Sequence, residues 1–265
     1  MGISEPSGKP EDRVVTKDLT IVVKTLMRPR ALDMLLTSIW ARYSDVKIFV
    51  ADDSPVPIKR TDVDNYFILP FDSGLSYGRN FLLEKVETKY VMVLDDDTVF
   101  TDDTELAWPL RVLEEHHDID LVGGRYLPEK FYGKQVIERG VLIRDLEIYN
   151  GIVDGFPVYD FTANFFVART EKIREIRWDE SLKIQEHMDF FWRAKQRLIC
   201  THLPYFSSQN SHLESEGYAR FRGRHKKFQA LQCQKIGVKK IKSRNNRVDL
   251  SGLDLCDLAR MPGGG

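Results

Sequence analysis

Through the first half of the chain, short apolar runs alternate with stretches of helical period, and two of the runs end abruptly in acidic residues. Leu19-Thr-Ile-Val-Val23 reads as a first strand, with Lys24 to Arg30 as the loop after it. Leu32, Leu35, Leu36, Ile39 and Trp40 recur at i, i+3 and i+4 spacing, which predicts an amphipathic helix over about Ala31 to Tyr43. Val46 to Ala51 is a second strand and runs into Asp52-Asp53-Ser54-Pro55; Tyr66 to Leu69 supplies a third. Gly74-Leu-Ser-Tyr-Gly-Arg-Asn80 follows as a loop opening a helix through Val86. The uninterrupted run Tyr90 to Leu94 has the length of a strand buried on both faces, and it ends in Asp95, Asp96 and Asp97. Strand, helix, strand, strand, helix, strand predicts a doubly wound α/β fold with a mostly parallel sheet. Such sheets bind ligands outside the carboxyl ends of their strands. Thr25 to Arg28, Asp52-Asp53 and Asp95 to Asp97 all fall there.

The second half is patterned differently. Leu121 to Tyr126, Val136 to Ile143 and Ile148 to Val153 alternate or run apolar with glycine breaks, which predicts antiparallel strands over the sheet's edge. Phe161 to Val167 reads as another buried strand, and Leu198 to Leu203 as a last one. Glu186-His-Met-Asp-Phe-Phe-Trp-Arg193 opens a helix, with its acids in the first turn where the helix dipole favours them. Residues 1–18, polar with proline and glycine, read as a disordered leader; 19–217 as one domain, divided near 100; and 218–265 as a basic extension.

Composition narrows the class. With 42% hydrophobic and 30% charged residues, the 265-residue chain has the make-up of a globular domain with a sizeable core. No apolar stretch approaches the ~18 to 20 residues of a membrane span, and the N-terminus has no apolar signal core. Cys200, Cys233 and Cys256 are widely spaced, which argues against a disulfide framework or a thiolate zinc site and fits a reducing compartment. Net charge is −1, yet Arg220 to Arg247 holds eleven Lys or Arg and no acid. That segment suits contact with phosphate or an anionic membrane surface, or stands as a solvated tail. Without regular aromatic interleaving it does not suit nucleic acid.

Along extended chain Asp95 and Asp97 point one way and Asp96 the other. Packed carboxylates repel and raise each other's pKa unless a cation holds them, and an all-oxygen set suits Mg²⁺ or Mn²⁺. The tripeptide alone also fits a solvated turn before a helix. Context decides between the two.

Thr25-Leu-Met-Arg28, Gly74-Leu-Ser-Tyr-Gly-Arg-Asn80, Thr88-Lys-Tyr-Val91 before Asp95-Asp-Asp97, Asn164-Phe-Phe-Val-Ala-Arg-Thr170 and Glu186-His-Met-Asp-Phe-Phe191 carry a resemblance to GT-A glycosyltransferases. Within them the order and spacing resemble the β1,4-N-acetylgalactosaminyltransferases of the GM2/GD2-synthase type over about residues 19 to 215. The resemblance implies a GT-A fold with a smaller antiparallel acceptor-side sheet. It implies a metal-dependent inverting transferase moving GalNAc from a UDP-sugar to a glycan or glycolipid hydroxyl. The same fold handling UDP-GlcNAc, UDP-galactose or UDP-glucuronate, or a noncatalytic binding module, is the alternative. Under the resemblance Asp97 and His212 would ligate Mn²⁺ or Mg²⁺, Asp95 would bind the donor's ribose or sugar, Asp96 would belong to the donor-binding set, Asp52 or Asp53 would accept from the uracil N–H, and Thr25 and Arg28 would border the base. Arg79 would neutralise a phosphate or brace Asp95.

A transferase of this kind needs a base for the acceptor hydroxyl. Asp189 takes that role, with Glu186 second and His187 a further candidate; His187 stands where the broader GT-A pattern often has an aspartate. Trp178 and Trp192, or Tyr126 and Phe131, suit stacking on a sugar or packing in the core. Arg125 and Lys134 suit an anionic acceptor. The expected compartment is the cytoplasm, with membrane contact through the basic segment, or the Golgi lumen if an N-terminal anchor has been removed.

Overall fold

The computed structural model describes residues 16–213, 218, 221 and 223–245. Of the expected leader, 1–15 lie outside the described residues, as do 246–265 of the expected extension. Strand β1 (Leu19–Thr25), helix α1 (Pro29–Trp40), β2 (Lys47–Asp52), β3 (Asn65–Ile68), α2 (Leu75–Lys85) and β4 (Tyr90–Asp95) follow the predicted order. They form the parallel half of a sheet in the spatial order β3-β2-β1-β4. Beyond come β5 (Thr98–Phe100), α3 (Ala107–Glu115), β6 (Leu121–Leu127), β7 (Gly133–Glu138), β8 (Val141–Leu146), β9 (Gly151–Val153), β10 (Phe156–Tyr159) and β11 (Phe165–Arg169). The chain continues through α4 (Thr170–Ile176), α5 (Glu186–Ala194), β12 (Cys200–Asn210), α6 (His225–Ile236) and β13 (Lys240–Asn245).

β11 runs antiparallel between β4 and β6, and β12, β10 and β9 extend the sheet to ten strands with β5 paired to β12. The apolar strands are continuous because both faces are covered. Ile21, Val23, Met92 and Leu94 face one core with α1 and α3, while Val22, Val91 and Val93 face another with α2, α4 and α5. This alternation within an unbroken apolar run is what a sheet buried on both sides requires.

Three details depart from the sequence reading. Val136 to Ile143 is not one strand but a hairpin, reversed at Arg139 and Gly140, both at positive φ. β12 does not stop at Leu203; it passes Pro204 with a register shift between His202 and Ser207 and continues to Asn210. The third departure lies in the basic segment, which contributes α6 and β13, the latter pairing in parallel with β8 to complete a second, three-stranded sheet. Among the described residues no helix is long and apolar enough to cross a membrane.

Candidate active site

β1 and β4 are neighbours with Lys24 opposite Asp95, so their carboxyl ends open on the same side of the sheet. There a cleft of about 340 Å³ is lined by Asp95, Asp96 and Asp97 on one wall and Gln185, Glu186 and His187 on the other. A second cavity, of about 470 Å³, lies outside the ends of β1 and β2 between Thr25, Asp52, Ser54, Val56 and Tyr66. Arg28 borders both. Its place is fixed locally: Met27, at positive φ, donates its N–H to Ser54 Oγ (2.7 Å), and Pro29 starts α1 with the fixed φ of a first helical residue.

The chain turns at Asp96 and Asp97 instead of extending, so all three carboxylates face the same cleft and the expected alternation fails. Arg28 forks across two of them, Nη1 to Asp96 (2.8 Å) and Nη2 to Asp97 (2.6 Å), while the Thr25 hydroxyl donates to Asp96 (2.7 Å). The guanidinium lies 4.9 Å from the Tyr218 ring. Burial works against its charge, but Asp96 and Asp97 outweigh it and the pKa is raised. Arg79, 2% exposed, binds Asp95 (2.7 Å) and Glu186, joining the end of β4 to the start of α5. It braces carboxylates and does not line either cavity. Burial pushes the Asp95 carboxyl up to about 6 and the Asp96 carboxyl up to about 7; Asp97 adds to both, and the arginines only partly offset this.

That under-compensated, all-oxygen set is the chemistry a hard divalent ion takes. Such an ion needs one or two protein carboxylates when phosphates complete its shell. Asp97 and Asp95 fit it on those terms. Among the described residues, however, no group of three His, Cys, Asp or Glu could hold a metal. His212 is held beside Asp97 by backbone, since Ser211 N–H donates to the Asp97 carbonyl (2.7 Å). Its own N–H is capped by Asn210 Oδ1 (2.7 Å) at positive φ, and the residue is exposed. The ring expected as third ligand therefore stays at the surface.

Asp52 and Asp53 separate. Asp52 lines the second cavity and accepts from Ser54 N–H (2.8 Å) and the Tyr66 hydroxyl. Asp53 is fully buried, pairs with Lys24 and accepts Gly74 N–H (2.9 Å), so it serves the scaffold and not a ligand.

The base expected at Asp189 is not brought to the cleft. Successive helix positions turn by about 100°, so 187 and 189 face nearly opposite ways. His187 lines the cleft; Asp189, 3% exposed, accepts from Arg193 Nε (2.9 Å), whose other nitrogens cap the carbonyls of Ile176 and Arg177 (2.8 Å each). Burial raises the Asp189 pKa.

Of the aromatics, Phe131 lines the cleft, while Trp178 stacks on Phe190 in the core and Tyr126 packs on Phe165. Trp192 packs on the small core of Leu142, Val238 and Ile241. Lys24, Asn164, Arg144 and Arg224 are among the cleft residues not singled out from the sequence. Lys24, read as the first loop residue, lies within the buried strand β1, where a lysine demands a partner. Asn164, with Nδ2 3.4 Å from Asp95, lay within a quoted motif. Arg144 and Arg224 gave no signal, one being masked in a short alternating strand and the other in the basic run.

The sheet topology and the acidic cleft outside its carboxyl ends define a GT-A fold. Residues 20–177 match glycosyl transferase family 2, and the chain belongs to that family. It is 34% identical over 200 residues to β-1,4 N-acetylgalactosaminyltransferase 2 of Mus musculus, covering 73% of this chain and 39% of that protein. It is 36% identical over 188 residues to β-1,4 N-acetylgalactosaminyltransferase 1 of Homo sapiens, covering 65% and 35%. The chain thus spans less than two-fifths of the length of these relatives. Among solved structures, S. aureus TarS 1-349 in complex with UDP-GlcNAc superposes with a TM-score of 0.56 at 18% identity, covering 76% of this chain and 60% of that one. Mannosyltransferase PcManGT from Pyrobaculum calidifontis, in complex with GDP-Man and Mn²⁺, gives 0.55 at 10% identity, covering 96% and 72%.

Proposed function

We propose that this chain transfers a sugar, GalNAc, from its UDP conjugate to a glycan hydroxyl in a single displacement that inverts the anomeric centre. The observation that carries the reading is the pair of cavities meeting at Arg28, one walled by Asp52 and an apolar rim, the other by the three aspartates. A uracil fits the first, with Asp52 accepting its N–H. The diphosphate then passes Arg28, whose fork, spanning Asp96 and Asp97 in the empty cleft, would exchange them for phosphate oxygens, and the sugar enters the cleft between Asp95 and α5. The likeness to two N-acetylgalactosaminyltransferases supports the choice of sugar.

Asp97 and Asp95 would hold Mn²⁺ or Mg²⁺, which when bound neutralises charge on the departing diphosphate. The chain's own residues do the rest. Arg28 orients the diphosphate. Arg79 fixes Asp95 and Glu186 so that the sugar meets a rigid wall, and Phe131 offers an aromatic face to the acceptor side.

The test is UDP release from UDP-GalNAc, UDP-GlcNAc, UDP-galactose and UDP-glucuronate, with and without Mn²⁺ and with a mixed glycan acceptor extract. Manganese-dependent release led by UDP-GalNAc is expected, and Asp97→Asn should abolish the manganese response while the chain still folds. No release from any donor would overturn the reading.

A further inference from the structure

The cleft wall made by α5 offers three polar groups in its first turn, and their surroundings differ. Asp189 is turned away and paired with Arg193. Glu186 is buried and committed to Arg79, which also holds Asp95. His187 alone presents an unused basic atom. Its Nε2–H donates to the Thr162 carbonyl (2.7 Å), which fixes the tautomer and leaves the lone pair on Nδ1. Nδ1 is buried and has no hydrogen-bond partner. The ring is held by Phe191, edge-on at 5.0 Å, and by Phe131 at 5.8 Å, so it cannot simply rotate the atom to solvent.

Leaving a buried acceptor without a partner costs about 1–3 kcal/mol, and such atoms are few in folded proteins. A hydroxyl delivered with the substrate would supply the partner. Resting on the transferase reading above, we propose that His187 Nδ1 is the base that accepts the acceptor hydroxyl's proton. As the hydroxyl oxygen bonds to the anomeric carbon, the bond from that carbon to the β-phosphate oxygen breaks and its electron pair leaves on UDP. The hydroxyl proton passes to Nδ1, and the imidazolium later releases it to water.

The electrostatics around the ring keep it unprotonated in the empty cleft and make it a weak base there. Burial, then Arg79 from α2 and Arg144 from β8, lower the imidazole pKa to about 3, so the ring is neutral across the ordinary pH range. The carboxylates lining the same cleft, Glu186 on α5 and Asp95 to Asp97 at the end of β4, carry the opposite sign. A bound diphosphate adds negative charge and favours proton uptake by the ring as the reaction proceeds.

The experiment uses the full 265-residue chain, UDP-GalNAc, Mn²⁺ and p-nitrophenyl β-galactoside or β-N-acetylglucosaminide as acceptor. His187→Gln keeps a donor for the Thr162 carbonyl but has no basic atom; His187→Ala removes both. Both should lose kcat by about 10²- to 10⁴-fold, with KM for donor and UDP affinity within about 2-fold of the parent. His187→Asp should regain part of the rate, and added imidazole should rescue His187→Ala in proportion to its free-base form. A His187→Gln variant retaining more than about a tenth of kcat would show that the ring only positions Thr162, and so would a fall in UDP affinity parallel to the rate. Those results overturn the base assignment and leave the transferase reading standing. A parent chain that transfers to neither acceptor, with no donor turned over, removes both.

Discussion

Asp52 and Asp53 leave the same strand end, yet their neighbours give them different work. Asp52 borders the second cavity, whereas Asp53 is sealed against Lys24 and Gly74 N–H. Removing one member of a buried ion pair strands the other, a loss of about 3–5 kcal/mol. Burial already lowers the Lys24 pKa, so the lysine can shed its proton and hold the loss to the lower end of that range. Asp53→Asn should therefore cost about 3 kcal/mol in urea unfolding. Asp52→Asn should leave the unfolding midpoint in place and weaken UDP about tenfold, or about 1.4 kcal/mol, by calorimetry; the opposite pattern would exchange the two roles. The acidity at this strand end was legible in the sequence, but which acid faces a ligand depends on partners 21 to 29 positions away. The same limit explains the misplaced base. Helical period separates residue 187 from residue 189, but only the packing of α5 against α4 decides which of them meets the cleft.

Strands β1, β2 and β4 were readable because each is a continuous apolar run covered on both faces, a pattern that β11 shares and the half-exposed edge strand β3 does not. The later elements obey weaker signals: α3 carries Pro109 in its first turn, β12 runs through Pro204, and α6 is studded with lysines. The stretch read as a loop, Gly74 to Asn80, is mostly the first turns of α2, and its residues lock that helix to the segment leading into α5. Leu75 N–H donates to the Lys183 carbonyl (2.9 Å), the Ser76 hydroxyl to the Leu182 carbonyl (2.6 Å), and Asn80 exchanges bonds with the Trp178 backbone (2.8 and 2.9 Å). Gly74 makes this approach possible: its φ is +98°, and a Cβ there would lie 2.8 Å from Lys183 Cα. Gly74→Ala should cost about 1–3 kcal/mol in urea unfolding and should lower kcat by displacing Lys183 to His187. An unchanged midpoint would mean that the two segments move apart freely, and the interlock would lose its role in shaping the cleft.

At the scale of the molecule, the site's ionisable groups pull stability in opposite directions with pH. Asp95 and Asp96 have raised folded values, about 6 and 7, against an ordinary 3.8, so the folded state holds their protons longer and stability falls as pH rises from about 4 to 7. Burial depresses His187 and, on β12, His202 to about 3 from 6.5, so the unfolded state takes up protons first and stability falls as pH drops from about 6.5 toward 3. Between about pH 4 and 6 the two carboxylates and two imidazoles nearly cancel, and the metal-free chain should show an almost flat melting temperature there. A divalent ion at Asp95 and Asp97 must displace the Asp95 proton, so its affinity climbs with pH through the same window. With saturating Mn²⁺ the melting temperature should then rise steadily from pH 4.5 to 7.5, separating from the profile in a chelator as the carboxylates ionise. Thermal unfolding in parallel manganese and chelator series reads the difference directly. Profiles that stay parallel across the range would mean that the ion is not held by these carboxylates.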